Sequence, residues 1–120
     1  MSNAEKEAGL TEAARLFGVL AEPARLRILL LLRNGSMCGR ELARDLNLTP
    51  ATTCYHLGKL KLAKLLSEHR SGKHVYYSIC DSELARTVAR SVAGLARENS
   101  PPDGKRDQKS VSKKRAKGRR

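Results

Sequence analysis

The sequence is poor in cysteine and aromatic residues, and this argues against several kinds of protein. Its 120 residues include three cysteines, one phenylalanine, three tyrosines and no tryptophan. Cys38, Cys54 and Cys80 are odd in number and have no CxxC spacing, which disfavours a disulfide framework and a tetrahedral zinc knuckle. So few aromatic residues also disfavour the stacking of single-stranded bases on aromatic side chains.

Long apolar runs and catalytic motifs are missing as well. The longest apolar run spans residues 28–32, far short of the ~20 residues that a membrane-spanning helix requires. The N-terminus lacks the positive-then-apolar pattern of a signal peptide, so we expect a cytoplasmic protein with no membrane partner. No glycine-rich phosphate loop and no nucleophile–base–acid set stands out. We therefore expect a protein that is not an enzyme and that carries no cofactor.

Positive charge is what the sequence has in excess. The formal net charge is +12, and residues 99–120 contribute nine Lys or Arg against two Asp, a net of +7. Residues 1–98 remain basic at +5. A basic domain with a basic tail favours a polyanionic partner, above all nucleic acid. The alternative is a tail that only improves solubility.

Apolar periodicity divides the chain into three parts. Residues 1–9 are polar, and we expect a flexible N-terminus there. Residues 10–98 form the folded domain, in which helix 1 begins at Leu10 and helix 2 runs from Pro23 to about Arg33. Asn34-Gly35 ends helix 2, whose apolar composition predicts a central core helix. Residues 99–120 form a basic tail that we expect to be disordered.

The next two helices form a helix-turn-helix pattern. A short helix is predicted over residues 39–47, and Thr49-Pro50 supplies the N-cap and first turn of a helix that runs to about Lys64. The short connection between them is typical of a helix-turn-helix. Thr53, Leu57 and Leu60 are expected to face inward.

An extended pattern follows these helices. Residues 66–70 and 75–79 predict two strands, and Ser71-Gly72-Lys73 predicts the turn that joins them. A hairpin after the second helix of a helix-turn-helix is a wing. The fold class is therefore mainly α with a small β-hairpin wing, a winged helix-turn-helix.

A fifth helix, capped by Asp81 or Ser82, is expected to form a dimer seam. Its alanine-rich stripe would allow another helix to approach closely. The alternative, that this helix packs only on its own domain, stays open. The predicted dimer-interface residues on this helix are Leu84, Val88, Val92 and Leu95.

The outward face of the fourth helix is the candidate reading surface for double-stranded DNA. Its side chains mix hydrogen-bonding groups, a small apolar contact and a cation, a combination that suits base edges in a major groove. Cations around this helix and on the wing would contact phosphates, although any one of them can equally be a solvated surface charge. The candidate DNA-binding residues are Arg40, Thr49, Ala51, Thr52, Tyr55, His56, Lys59, Lys61, Arg70, Lys73 and His74.

Three stretches together resemble the ArsR/SmtB family of metal-sensing repressors. They are residues 20–29 (LAEPARLRIL), residues 41–57 with the LTPATTCYHL segment, and residues 65–79 with the VYYSI strand. The resemblance covers about residues 10–98, with Glu22 where the family usually has Asp. It implies a homodimeric winged-helix repressor with helices 1 and 5 at its interface, which adds Leu16 and Phe17 of helix 1 to the predicted dimer-interface residues. Such proteins bind a palindromic operator and usually release it when an effector binds.

The metal sites that the resemblance implies are degraded in this sequence. At the start of the third helix, Cys38 matches the first thiolate of the family's box, but Arg40 replaces the second. In the fifth helix, Asp81 and Glu83 match the first ligand pair, while the later positions hold Gly94 and Arg97. We therefore expect no metal, and Asp81 is better interpreted as a helix cap. The effector stays unknown.

Cys38 leaves alternatives open. At the N-terminus of a helix its thiolate would be favoured, so it can serve as a thiol sensor. It can equally be an inert packing cysteine or part of an unfamiliar metal site. A further alternative for the whole chain is a winged-helix module for protein–protein contact. The five cations of residues 50–75, against Glu68 alone, disfavour that alternative.

Overall fold

The structure is a computed structural model that describes residues 1–102. Within this range the chain forms five helices and three strands, in an order that confirms the predicted class of mainly helical protein with a small β wing. The elements are α1 (Asn3–Leu20), α2 (Pro23–Leu32), β1 (Met37–Cys38), α3 (Gly39–Leu46), α4 (Pro50–Leu62), β2 (Leu66–Ser71), β3 (His74–Ile79) and α5 (Glu83–Glu98).

Helix α1 begins seven residues earlier than the sequence predicted, since it starts at Asn3 and not at Leu10. The Oγ of Ser2 accepts from the backbone N–H of Glu5 at 3.2 Å, and the Glu5 carboxylate accepts from the N–H of Ser2 at 2.9 Å. This reciprocal capping box satisfies two N–H groups that a helix start otherwise leaves free. The expectation of a flexible segment over residues 1–9 missed this local signal.

Helix α2 lies at the centre of the domain, as its apolar composition predicted. Ile28 and Leu29 are fully buried. Helices α1, α3, α4 and α5 and strand β3 all pack against α2. After α2, Gly35 adopts a φ of +129°, which favours glycine and turns the chain toward β1.

The helix-turn-helix lies where the sequence placed it. Asn47 caps α3 in the left-handed conformation with a φ of +58°, and Leu42, Ala43 and Leu46 are buried. The Thr49 hydroxyl caps α4 by accepting from the N–H of Thr52 at 3.1 Å. Helix α4 ends at Leu62, two residues before the predicted end.

The wing has one strand more than the sequence predicted. Strands β2 and β3 form the expected antiparallel hairpin, in which Leu66 pairs with Ile79 and Gly72 turns at a φ of +65°. Strand β1 pairs with the other edge of β3 and gives the order β1-β3-β2. Its two residues are too few to show a periodicity, so the sequence could not reveal it. Through β1, the wing is tied directly to the start of α3.

Helix α5 closes the described part of the chain. The Ser82 hydroxyl accepts from the N–H of Ala85 at 3.1 Å and is the N-cap. Asp81, which the sequence offered as a cap, instead pairs with Arg86. The helix ends at Glu98 with Asn99 as its C-cap, and residues 103–120 of the predicted basic tail lie outside the described residues. Within residues 1–102, no helix combines the length and apolar character needed to cross a membrane.

We expect Leu29→Ala to lower the free energy of unfolding by about 2–5 kcal/mol, because it opens a cavity in the fully buried surface of α2. Urea unfolding at a fixed protein concentration measures this change. The matched control is Leu62→Ala, since Leu62 is 81% exposed at the end of α4, and it should change stability by less than about 0.5 kcal/mol. Equal losses in both variants would contradict the assignment of α2 as the core helix.

Candidate nucleic-acid interface

Helix α4 has a buried face and an exposed face that match the predicted division. Thr53, Leu57 and Leu60 are buried against the core. The candidate reading residues Ala51, Thr52, Tyr55 and Lys59 are all exposed, and Thr49 is exposed at the N-cap. The Thr49 hydroxyl also donates to Thr52 Oγ1 at 3.0 Å. These five side chains therefore form one mainly polar surface along the first three turns of α4.

His56 does not belong to this surface. It is only 8% exposed, and its Nδ1 accepts a hydrogen bond from Arg25 Nε at 3.1 Å. This burial and the hydrogen bond inside the domain disfavour the prediction that His56 contacts DNA, and favour a packing role for the imidazole. The sequence missed the partnership because Arg25 and His56 are 31 positions apart.

Tyr55 is the largest side chain of the exposed face, and two cations lie over its ring. The Arg25 guanidinium carbon lies 5.6 Å from the ring centroid and Lys59 Nζ lies 5.5 Å from it. Its neighbour His56 meets it edge to face at 5.6 Å between centroids. Cation–π contacts favour such placements over an aromatic face. The phenol of Tyr55 is thus directed by its neighbours although the side chain is 58% exposed.

A cleft of about 240 Å³ joins the start of α3, the inner edge of α4 and the wing. Arg40, Lys73 and His74, predicted separately from three parts of the sequence, all line it. Tyr77 lines it as well, and burial raises the pKa of its phenol, with the Glu68 carboxylate acting in the same direction. Tyr77 therefore remains neutral at physiological pH, and the charge that lines the cleft comes from the basic side chains.

The remaining cations of the wing and of α4 differ in whether a carboxylate of the domain already pairs with them. Arg70 is exposed on β2. Lys61 Nζ lies 3.2 Å from a carboxylate oxygen of Glu68, so part of its charge is already compensated within the domain. Because both partners are substantially exposed, this pair is weak and screened by salt. The pair therefore leaves Lys61 available as a candidate phosphate contact.

Cys38 lies at the N-cap of α3, as expected, but it is buried. Its backbone N–H donates to Glu41 Oε1 at 3.1 Å, so the carboxylate of Glu41 occupies the first turn of this helix. Cys54 is exposed and Cys80 is half-buried. The burial of Cys38 favours the packing role among the alternatives that the sequence left open.

No metal site appears in the described part of the chain. Across residues 1–102, no group of three or more His, Cys, Asp or Glu side chains could hold a metal ion. Asp81 and Glu83, which match the family's ligand pair, both lie within ion-pair distance of Arg86. Both carboxylates are thus already paired with a cation of the chain itself.

The predicted dimer-interface residues fall into two groups. Val88 and Val92 are buried in the core of the domain itself, and Leu16 packs against that core. Val88 and Val92 therefore have little apolar surface left for a second chain, whereas Leu16 is only half-buried and remains a candidate for the interface. Phe17, Leu84 and Leu95 are 70%, 47% and 64% exposed. Leu10, one helical heptad before Phe17, is 64% exposed too and was not among the candidates.

The chain resembles known regulatory proteins in both sequence and fold. Residues 22–68, which include the helix-turn-helix, match the family of bacterial regulatory proteins described as arsR family. The transcriptional repressor SdpR of Bacillus subtilis is 36% identical over 73 residues, which are 61% of this chain and 81% of SdpR. YdfF, an HTH-type transcriptional regulator of the same bacterium, is 40% identical over 76 residues, 62% of this chain but only 34% of YdfF. The chain thus spans about a third of the length of YdfF.

The fold leads to the same family. A homodimeric winged helix-turn-helix DNA-binding domain from Mycobacterium bovis, of a possible ArsR-family transcriptional regulator, superposes with a TM-score of 0.69. It is 31% identical in sequence, and the match covers 82% of this chain and 89% of that one. Sequence and fold together show that this chain belongs to the ArsR family of bacterial regulatory proteins.

Proposed function

We propose that this chain is a transcriptional repressor that binds a specific sequence of double-stranded DNA as a homodimer. One observation carries the proposal: α4 buries one face and exposes a polar, cationic face beside a cleft lined by Arg40 and Lys73. SdpR is named a transcriptional repressor, and the Mycobacterium bovis domain is described as DNA-binding and homodimeric, which supports the same function here. This function requires no catalysis, and a repressor of this kind would act in the cytoplasm, where a bacterial chromosome lies.

Base edges would be read by the first turns of α4. A major groove is wide enough to admit a helix, and the N-terminal part of a recognition helix enters it deepest. Ala51 offers a small apolar contact for a thymine methyl group, while Thr52 and Tyr55 offer hydroxyl groups that can donate or accept. All three side chains are exposed. Their chemistry is complementary to the donor and acceptor pattern of base pairs.

Phosphates would be held by the cations that surround this face. Arg40, Lys73 and His74 line one cleft between α3 and the wing, and Lys59 and Arg70 are exposed on either side. Contacts of this kind position a protein on the duplex and release counterions, without reading sequence. The +12 net charge of the whole chain supports the same role.

The homodimer would form through α1 and α5. Both helices pack on α2 and expose large apolar side chains, Leu10 and Phe17 on α1 and Leu84 and Leu95 on α5. Large exposed apolar side chains on neighbouring elements are typical of an interaction surface. A twofold pairing would set two copies of α4 about 34 Å apart, so that they read successive major grooves.

Selection from random duplex DNA tests the function directly. The full chain should enrich a palindromic sequence, and it should bind that sequence more tightly than a shuffled duplex of equal length and composition. Binding of both duplexes with equal affinity would reduce the proposal to non-specific binding of polyanions. No binding to either duplex at low ionic strength would exclude DNA as the partner.

We expect Tyr55→Ala to weaken binding to the enriched sequence by about 1–3 kcal/mol while it leaves binding to unrelated DNA nearly unchanged, because a base contact is lost. Titration of both duplexes by fluorescence anisotropy measures this difference. Leu62→Ala is the matched control, since Leu62 is an exposed apolar residue at the far end of α4. A uniform loss on both duplexes would assign Tyr55 to the phosphate backbone instead.

We expect Lys73→Gln to reduce the slope of log K against log salt by about 1 for each protomer, because one phosphate contact and its released counterion are lost. Binding isotherms at four or more salt concentrations give the slope. Lys6→Gln removes the same charge from an exposed site on α1 and should leave the slope unchanged. An identical slope for both variants would remove Lys73 from the DNA contacts.

We expect Phe17→Glu to convert the dimer to a monomer, because two buried carboxylates would face each other across a twofold contact. Sedimentation equilibrium measures the mass directly. Leu62→Glu introduces the same charge at an equally exposed apolar position on α4 and should leave the mass unchanged. A dimer that persists in Phe17→Glu would place the interface elsewhere.

A further inference from the structure

Arg25 is a charged residue inside the domain, and its side chain contacts two other helices. It is only 7% exposed, although it lies in the first turn of α2. One terminal nitrogen donates to the backbone carbonyl of Val19 at 3.0 Å, in the last turn of α1. Nε donates to His56 Nδ1 at 3.1 Å, on α4. A single guanidinium therefore joins α1, α2 and α4.

No carboxylate among residues 1–102 pairs with this guanidinium. A buried charge must be compensated in some other way, or burial would strongly destabilise the fold. The carbonyl of Val19 belongs to the negative end of the α1 dipole, which favours a cation there. The imidazole lone pair of His56 and the ring of Tyr55 provide the remaining compensation of the positive charge. The centroid of the Tyr55 ring lies 5.6 Å from the guanidinium carbon. The guanidinium is thus held by groups that sit in fixed positions around it.

The bond to His56 also fixes the imidazole. Because Nδ1 accepts a hydrogen bond, the neutral ring carries its proton on Nε2. The His56 ring then meets the Tyr55 ring edge to face, with 5.6 Å between centroids. Arg25 therefore acts on Tyr55 both directly, through the cation–π contact, and indirectly, through His56.

We propose that Arg25 is a positioning residue for DNA reading: anchored on the end of α1, it holds the ring of Tyr55 in the orientation that meets the base pair. The proposal rests on the proposed function, since it concerns the same face of α4. Arg25 itself is too deeply buried to contact DNA. It would influence sequence discrimination only through the placement of Tyr55.

Lysine cannot replace arginine in this position. The guanidinium presents several donors in a rigid, planar fork, whereas an ammonium is a single point charge on a flexible stem. Arg25→Lys keeps the charge but cannot keep the bonds to Val19 and His56 together with the contact to the Tyr55 ring. It is therefore the variant that separates positioning from charge.

The test is a double-mutant cycle of Arg25→Lys and Tyr55→Ala. The readout is the ratio of the two dissociation constants, for a shuffled duplex and for the sequence that the wild-type chain enriches. We expect Arg25→Lys to lower this ratio by about fivefold or more in the wild-type background, and by less than about twofold in the Tyr55→Ala background. Arg33→Lys, at an exposed position just after α2, is the matched control and should leave the ratio unchanged.

Two results would overturn the proposal. One is an unchanged ratio in Arg25→Lys, and the other is an equal fall in both backgrounds, which would show that Arg25 acts independently of Tyr55. Failure of the proposed function is a separate outcome, since the wild-type chain itself would then show no discrimination. Thermal unfolding of every variant, at one protein concentration, distinguishes a variant that no longer folds from one that folds but no longer discriminates between the two duplexes.

A second pair of variants covers the case in which Arg25→Lys does not fold. His56→Asn keeps an acceptor where Nδ1 lies, whereas His56→Leu removes it and keeps an apolar side chain. We expect His56→Asn to retain the discrimination ratio within about twofold and His56→Leu to lose about fivefold. Equal ratios in the two variants would show that the bond from Arg25 has no part in reading.

Discussion

The burial of α2 is the constraint on which the rest of the structure depends. Ile28 and Leu29 are fully buried, and four helices and the middle strand of the wing pack around this one helix. Apolar burial of this kind is the main favourable term in folding. It fixes α3 and α4 relative to each other, and through β1 and β3 it fixes the wing relative to both. The candidate interface is therefore held on a rigid frame although nearly all its side chains are exposed.

The two faces of α4 show how this frame produces a binding surface. Thr53, Leu57 and Leu60 attach the helix to the core, and their spacing necessarily turns Ala51, Thr52, Tyr55 and Lys59 outward. The packing that stabilises the fold therefore also fixes the orientation of the exposed face of α4. Arg25 adds a polar link to the same arrangement, because its guanidinium joins the end of α1 to His56 and lies over the ring of Tyr55.

Much of the fold could be predicted because its signals are local. Thr49-Pro50, the Gly72 turn and the apolar composition of α2 each specify their element within a few residues. The errors arose where a signal was short or distant. The two residues of β1 are recognisable only through their partner strand, and the buried state of His56 depends on Arg25, 31 positions away. Val88 and Val92 carry the same apolar character whether they face a second chain or their own core.

The sequence by itself determined the order of the five helices and of strands β2 and β3, the winged helix-turn-helix class and the outward face of α4, because periodicity and caps are properties of neighbouring residues. Only the tertiary structure decided which apolar residues remain exposed on α1 and α5, and that Arg40, Lys73 and His74 line one cleft. It alone placed His56 inside the domain, bonded to Arg25. The physical reason is that burial and contact depend on how whole elements pack against one another. This packing is fixed only when all the elements bury their apolar faces in one common core.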